Sequence, residues 1–148
     1  EMEEKSISRE YTFPEDCAEP RTVRRQLLEL VDDVGTQLRE AGKYAGVPQI
    51  KIRWTGFETI TRQKTRPAPV CDDFALRAAA LELLAKVKLA QPVRLVGFGV
   101  SGLVRQPTRQ MSLFEPPGMN TTRNESLSRT VDRIRKKHGD GSIRTGSV

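Results

Sequence analysis

The chain has 148 residues, 36% of them apolar and 30% charged, with a mean hydropathy of −0.52. That is one domain's length with too little apolar content to pack all of it. No run approaches the roughly 18 apolar residues of a membrane-spanning helix, and one histidine with two cysteines argues against a zinc site or a disulfide framework.

The net charge of +6 is unevenly placed. Residues 1–104 hold 16 Lys+Arg against 15 Asp+Glu, and residues 105–148 hold 9 against 4. A near-neutral body therefore carries a basic tail. Glu1-Met2-Glu3-Glu4 has neither the basic nor the apolar region of a secretory signal, and Cys17 and Cys71 suit a reducing compartment. A cytoplasmic monomer is expected. The chain opens almost directly into a strand, so it reads as an excised part of something longer.

Residues 5–13 read as the first strand, with Ile7, Tyr11 and Phe13 on one parity and Ser6, Ser8, Glu10 and Thr12 on the other. Arg9 interrupts the apolar side, which suits a sheet edge. Pro20 opens a helix over 20–41, where Val23, Leu27, Leu30, Val31, Val34, Leu38 and Ala41 form one apolar stripe and Gly42 is the stop. Residues 49–55 alternate, with Ile50, Ile52 and Trp54 inward and Lys51, Arg53 and Thr55 outward. A hairpin partner follows over 58–66. Asp72 and Asp73 are N-cap candidates for a second helix over 73–89, whose core face is expected to hold Phe74, Ala78, Leu81, Leu84 or Ala85, and Leu89. Pro92 ends it, and Val93 to Leu103 form the last strand, with Val96, Phe98 and Val100 on one side and Gly97, Gly99 and Ser101 on the other.

The order βαββαβ over about 100 residues implies an α+β, ferredoxin-like sandwich: a four-stranded antiparallel sheet with both helices on one face. The other face is left open, and its expected occupants are Ser6, Ser8, Lys51, Arg53, Arg62, Lys64, Gly97, Gly99 and Ser101. Basic side chains, hydroxyls and glycines suit a phosphate backbone. A solvated sheet face is polar in any case, so a protein-interaction domain with an incidental basic face stays open. So does a free-standing module that binds RNA. The RNA-recognition motif, another βαββαβ module, stacks bases on strand aromatics; the strand around Arg62-Gln63-Lys64 has none, and Trp54 shares the parity of Ile50 and Ile52. Backbone contact fits better than stacking.

Several segments carry a resemblance. Lys5-Ser6-Ile7-Ser8-Arg9-Glu10-Tyr11-Thr12-Phe13 resembles the opening strand of the little-finger domain of Y-family DNA polymerases, the bacterial polymerase IV type in particular. So do Ile50-Lys51-Ile52-Arg53-Trp54-Thr55-Gly56-Phe57, Thr59-Ile60-Thr61-Arg62 and Val93-Arg94-Leu95-Val96-Gly97-Phe98-Gly99-Val100-Ser101-Gly102-Leu103. The resemblance implies a domain, residues 1–104, that grips template-primer DNA through phosphates. It favours Ser6, Ser8, Lys51, Arg53, Arg62 and Lys64 as contacts. Ser8 stands where the family often has Gly. A translesion polymerase needs Mg²⁺ held by converging carboxylates. Asp32-Asp33 lies mid-helix and Asp72-Asp73 looks like a cap, so no catalytic residue, metal or cofactor is assigned to this chain, which is expected to be inactive alone.

After residue 104 the periodicity stops. Residues 105–125, with Pro107, Pro116, Pro117 and Gly118, read as a flexible linker. Within it Gln110-Met111-Ser112-Leu113-Phe114 resembles the sliding-clamp-binding peptide of bacterial polymerases. Gln110 would meet backbone groups at a pocket rim, Leu113 and Phe114 would fill an apolar cleft, and Met111 holds the motif's apolar position after Gln110. Residues 126–148 form a basic, partly helical or disordered tail. Within it 126–138 is expected to form a short helix: either a basic arm for DNA or a solvated, fraying helix.

Overall fold

The computed structural model describes residues 5–105 and 121–138, with side chains of the latter stretch described over 125–134. The elements run β1 (Ser6–Cys17), α1 (Pro20–Glu40), β2 (Tyr44–Trp54), β3 (Thr59–Gln63), α2 (Asp73–Ala85), β4 (Val93–Val104) and α3 (Thr121–His138). The sheet order is β1-β4-β2-β3, antiparallel throughout. β1 and β2 are joined by α1 with β4 between them; β3 and β4 are joined by α2 with β2 between them. Two split βαβ units thus interlock, and α1 and α2 cover one face.

α1 forms where the apolar stripe demands. Val23, Leu27, Leu30, Val31, Val34 and Leu38 are buried against the sheet and α2. Its end follows a Schellman pattern. Gly42 takes φ +68, the Gly42 N–H donates to the Arg39 carbonyl at 3.0 Å, and the Lys43 N–H donates to Leu38 at 3.1 Å. On the sheet side the core is closed by Ile7, Ile50, Ile52, Trp54, Val96, Phe98 and Val100, all buried. Trp54 therefore lies in the core, as its parity predicts. β1 is an edge strand, and Arg9 accommodates its apolar-side parity by reaching out to donate to Gln37 of α1 at 3.3 Å.

Some boundaries and phases differ from the sequence expectation. β2 begins at Tyr44, ahead of the expected 49, because Pro48 does not break it: the Pro48 carbonyl accepts from Lys64 N–H at 3.3 Å, so this position supplies an acceptor where no donor is available. β1 runs past Pro14 to Cys17 through a register irregularity after Thr12. α2 ends at Ala85, and its core face is Leu76, Ala79, Ala80, Leu83 and Leu84. Phe74 is 49% exposed, Ala78 is exposed and Leu81 only half-buried, so the expected phase is off by about one position. The helix is apolar nearly all round, which leaves its sequence without a phase. Polar partners set it instead: Asp73 faces Arg39 and Arg77 faces Asp32, both on α1. Asp72 is the N-cap, accepting from Ala75 N–H at 3.0 Å.

α3 begins at Thr121, inside the stretch expected to be linker. It docks where the C-terminal end of α1, the N-terminus of α2 and the start of β2 meet. Ser128 is buried and its Oγ accepts from the Asp73 N–H at 3.0 Å. Asp132 takes the Arg39 guanidinium at 2.5 and 2.9 Å, and the Tyr44 hydroxyl donates to Glu125 at 2.7 Å. The helix expected over 126–138 is present, starts earlier, and is held by these contacts and not left solvated.

Candidate nucleic-acid interface

Cross-strand register settles which residues share the open face, because side chains alternate between faces along a strand. One row runs Ser6, Ser101, Val47. The next runs Ser8, Gly99, Gln49, Gln63, then Glu10, Gly97, Lys51, Thr61, and then Thr12, Leu95, Arg53, Thr59. These rows frame a shallow trough of about 250 Å³ whose floor is the middle of β4.

The glycines make the trough. A Cβ on Gly99 would lie 3.0 Å from the Ser8 Cβ, and one on Gly97 would lie 3.2 Å from Glu10 Cγ and 3.4 Å from Lys51 Cβ. Ser8, which stands where the family often has Gly, faces Gly99 on the neighbouring strand. With side chains absent from two positions of a central strand, an extended polyanion can come near the backbone. No aromatic residue stands in these rows, which favours phosphate contact over base stacking.

Ser6, Ser8, Lys51 and Arg53 share this face, as the sequence predicted; the first three line the trough and Arg53 lies in the row beyond Lys51. Arg62 and Lys64 do not share it. Arg62 pairs with Ile50, and Ile60 with Ile52, so the alternation places Arg62 and Lys64 on the helix side of the edge strand. Lys64 confirms it by pairing with Glu82 of α2 at 2.7 Å, and this neighbour lowers the Glu82 carboxyl below its ordinary value. Thr59, Thr61 and Gln63 take the open-face positions instead. The parity slipped because the turn decides it. The Trp54 carbonyl accepts from Phe57 N–H at 2.9 Å and the Trp54 N–H donates to Glu58 at 2.9 Å, with Phe57 in the left-handed region at φ 69. That three-residue loop with a bulge shifts the return strand by one residue. The Arg53 Nε donates to Thr59 Oγ1 at 3.0 Å, which orients its guanidinium along the face.

The sequence reading passed over Glu10 as a member of the site. Its carboxylate meets Lys51 Nζ at 2.7 Å above Gly97. Its parity was legible, since Glu10 alternates with Ser6 and Ser8; its partner, two strands away, was not. Gln110, Met111, Leu113 and Phe114 lie outside the described residues. The paired acids take structural places: Asp32 receives Arg77 at 2.6 and 2.8 Å, and Asp73 receives Arg39 at 2.9 Å. Burial, only partly offset by Arg39, raises the Asp73 carboxyl above its ordinary value.

Residues 4–113 match the impB/mucB/samB family C-terminal domain. A DNA polymerase IV of Dehalococcoides mccartyi strain 195 is 37% identical over 146 residues, which cover 97% of this chain and 36% of that protein. A DNA polymerase IV of Methanoculleus marisnigri is 41% identical over 111 residues, 75% of this chain and 31% of that one. The chain thus spans about a third of the length of the curated relatives it matches. Among solved structures, a complex of the beta-clamp processivity factor with the little finger domain of PolIV superposes with TM-score 0.56 at 22% identity, covering 74% of this chain and 98% of that one. The insertion ternary complex of Dbh DNA polymerase superposes with TM-score 0.54 at 12% identity, over 68% and 29%. The fold and the family match agree, and the chain belongs to the impB/mucB/samB C-terminal domain family, the little-finger domain of Y-family DNA polymerases of the polymerase IV type.

Proposed function

We propose that this domain holds template-primer DNA for a translesion polymerase by laying the open face of its sheet along the phosphate backbone. The observation that carries the reading is the trough itself. Ser6, Ser8 and Lys51 line a floor of Gly97 and Gly99, which puts a cation, hydroxyls and bare backbone in one concavity, and Arg53 stands one row beyond Lys51 on the same face. The polymerase relatives support it, as does a structural neighbour described as a ternary complex of a DNA polymerase. Nucleotidyl transfer and its Mg²⁺ are supplied by the rest of the longer protein. Among the described residues no three of His, Cys, Asp or Glu gather as a group that could hold a metal. Among the described residues no helix is long and apolar enough to cross a membrane, and the proposed setting is the cytoplasm, as a monomer.

The same reading assigns Gln110, Met111, Leu113 and Phe114 to a sliding clamp, in keeping with the neighbour described as a clamp complex. Two buried apolar anchors contribute roughly 1.5–3 kcal/mol each, so the contact is reversible.

The test is a titration of primer-template DNA at several salt concentrations. Binding should be weak and indifferent to sequence. Each phosphate contact adds about −0.9 to the slope of log K against log salt. Lys51→Ala with Arg53→Ala should weaken binding and flatten that slope. Arg62→Ala with Lys64→Ala, on the other side of the sheet, should do much less. Equal effects of the two pairs would remove the open face as the DNA surface. Leu113→Ala with Phe114→Ala should abolish clamp binding and leave DNA binding intact.

A further inference from the structure

Lys51 is the open-face cation nearest the centre of the trough, and it is already engaged. Its ammonium sits 2.7 Å from the Glu10 carboxylate. The two belong to β2 and β1, which are not neighbours: β4 runs between them. Strands lie about 4.7–4.9 Å apart, so the pair spans two strand spacings and can close only because Gly97, directly between Glu10 and Lys51 in the register, has no side chain. A Cβ there would stand 3.2 Å from Glu10 Cγ, a tight contact, and 3.4 Å from Lys51 Cβ. The bridge therefore lies across the floor of the trough where a phosphate backbone would run.

We propose that Glu10 is a built-in competitor for the DNA backbone: it holds Lys51 across Gly97 in the free domain and must release it when DNA occupies the trough. The proposal rests on the open face being the DNA surface. Both side chains are substantially exposed, 46% for Glu10 and 32% for Lys51, so the bridge is solvated and exchanges partners readily. The geometry leaves a phosphate no neutral way in. An anion within hydrogen-bonding distance of Lys51 Nζ meets the carboxylate already there, and like charges in contact repel. Only a polyanion that engages Ser6, Ser8 and Arg53 at the same time compensates for displacing Glu10. Glu10 thus tunes the grip downward, toward a hold that lets DNA move through it, and it acts through Lys51.

Glu10→Gln keeps the shape and removes the charge. In the full 148-residue chain it should tighten primer-template binding by up to about fivefold, the worth of an exposed ion pair. In a Lys51→Ala background the same substitution should have a much smaller effect, because there is no cation left to release. Glu82→Gln is the matched control, removing one charge from the Lys64 pair on the other side of the sheet; it should change affinity less than twofold. Thermal unfolding of each variant confirms that the fold is kept. If Glu10→Gln tightens binding equally with and without Lys51, or no more than Glu82→Gln does, Glu10 acts as bulk charge only and the proposal is overturned while the DNA reading stands. If wild type and all variants fail to bind DNA, or bind it without sensitivity to Arg53→Ala, the DNA reading itself falls and takes this proposal with it.

Discussion

Lys51 and Glu10 on the open face meet at 2.7 Å with side chains 32% and 46% exposed, whereas Arg39 and Asp73 in the helical layer meet at 2.9 Å with 1% and 2% exposed. The two distances are nearly alike and the physics is opposite. In the helical layer both charges have left water, so the pair persists only because its surroundings are complete. The Arg39 guanidinium also donates to the Cys71 carbonyl at 2.6 Å and to both oxygens of Asp132. Burial works against its charge, and the carboxylates of Asp132 and Asp73 more than offset it, raising its pKa. On the open face, water remains an alternative partner for each group. The buried set fixes how α1, α2 and α3 sit; the exposed set is available to a ligand.

The largest effect is expected from cutting the buried set. Arg39→Ala takes the guanidinium away from the buried Asp73 and from Asp132, and breaking a buried pair from one side costs about 3–5 kcal/mol. Urea unfolding measures it. Arg39→Lys should recover little, because a point charge cannot serve two carboxylates and a carbonyl as the planar fork does. A loss below about 1 kcal/mol would mean that the helical layer tolerates its charges as the open face does.

Next comes the dock of α3. Asp132→Asn weakens the charge-assisted bonds to Arg39, worth about 1.5–3 kcal/mol for hydrogen bonds to charged groups, and should detach the helix more than it unfolds the body. Cys71 reports on it. Its thiol is buried, and burial pushes its pKa up to about 12, while Arg129 of α3 lies 4.0 Å from its sulfur. A thiol-reactive disulfide reagent at pH 8 should titrate the half-buried Cys17 quickly and Cys71 only slowly in the wild type, and both quickly in Asp132→Asn. Fast reaction of both in the wild type would mean that α3 does not cover this site.

These contrasts show what was legible in the sequence. β1, α1, β2 and β4 were readable because each is amphipathic with a clean period, and the open face followed for Ser6, Ser8, Lys51 and Arg53. α2 lost its phase because an all-apolar helix has none to read. A turn or bulge at Gly56-Phe57 was legible, but its geometry was not: Arg62 and Lys64 went to the wrong face because the left-handed residue is Phe57 and not the glycine before it, which sets the parity of the return strand. The Glu10–Lys51 bridge depends on sheet order, which brings β4 between β1 and β2, and local patterns do not carry sheet order. The Arg39–Asp132 bond joins residues 93 apart in the chain.

Acid titration separates the two regions with a smaller effect. The Asp73 carboxyl is raised, by burial first. Between the ordinary carboxylate value, about 3.9, and its raised value, the folded chain holds a proton that the unfolded chain has lost. Stability from this group is therefore present at low pH and lost as pH rises through the folded value. Relative to Asp73→Asn, wild type should lose stability as pH rises through that window. Unfolding midpoints of both proteins across the acid range measure it, and parallel curves would refute the shift.

The smallest effect belongs to the open face. Lys51→Ala removes one partner of the Glu10 bridge, and the naive expectation from a 2.7 Å contact is a substantial loss. Exposure argues otherwise. Glu10 stays solvated when its partner goes, so no uncompensated charge is buried, and the bridge already surrenders side-chain entropy to hold two long chains in one geometry. Exposed pairs of this kind contribute about 0.2–1 kcal/mol. Urea unfolding of Lys51→Ala should thus fall within about 1 kcal/mol of wild type, a loss that 1 M salt largely removes by screening. A loss approaching that of Arg39→Ala, insensitive to salt, would show that Lys51 holds the sheet together rather than waiting for a ligand.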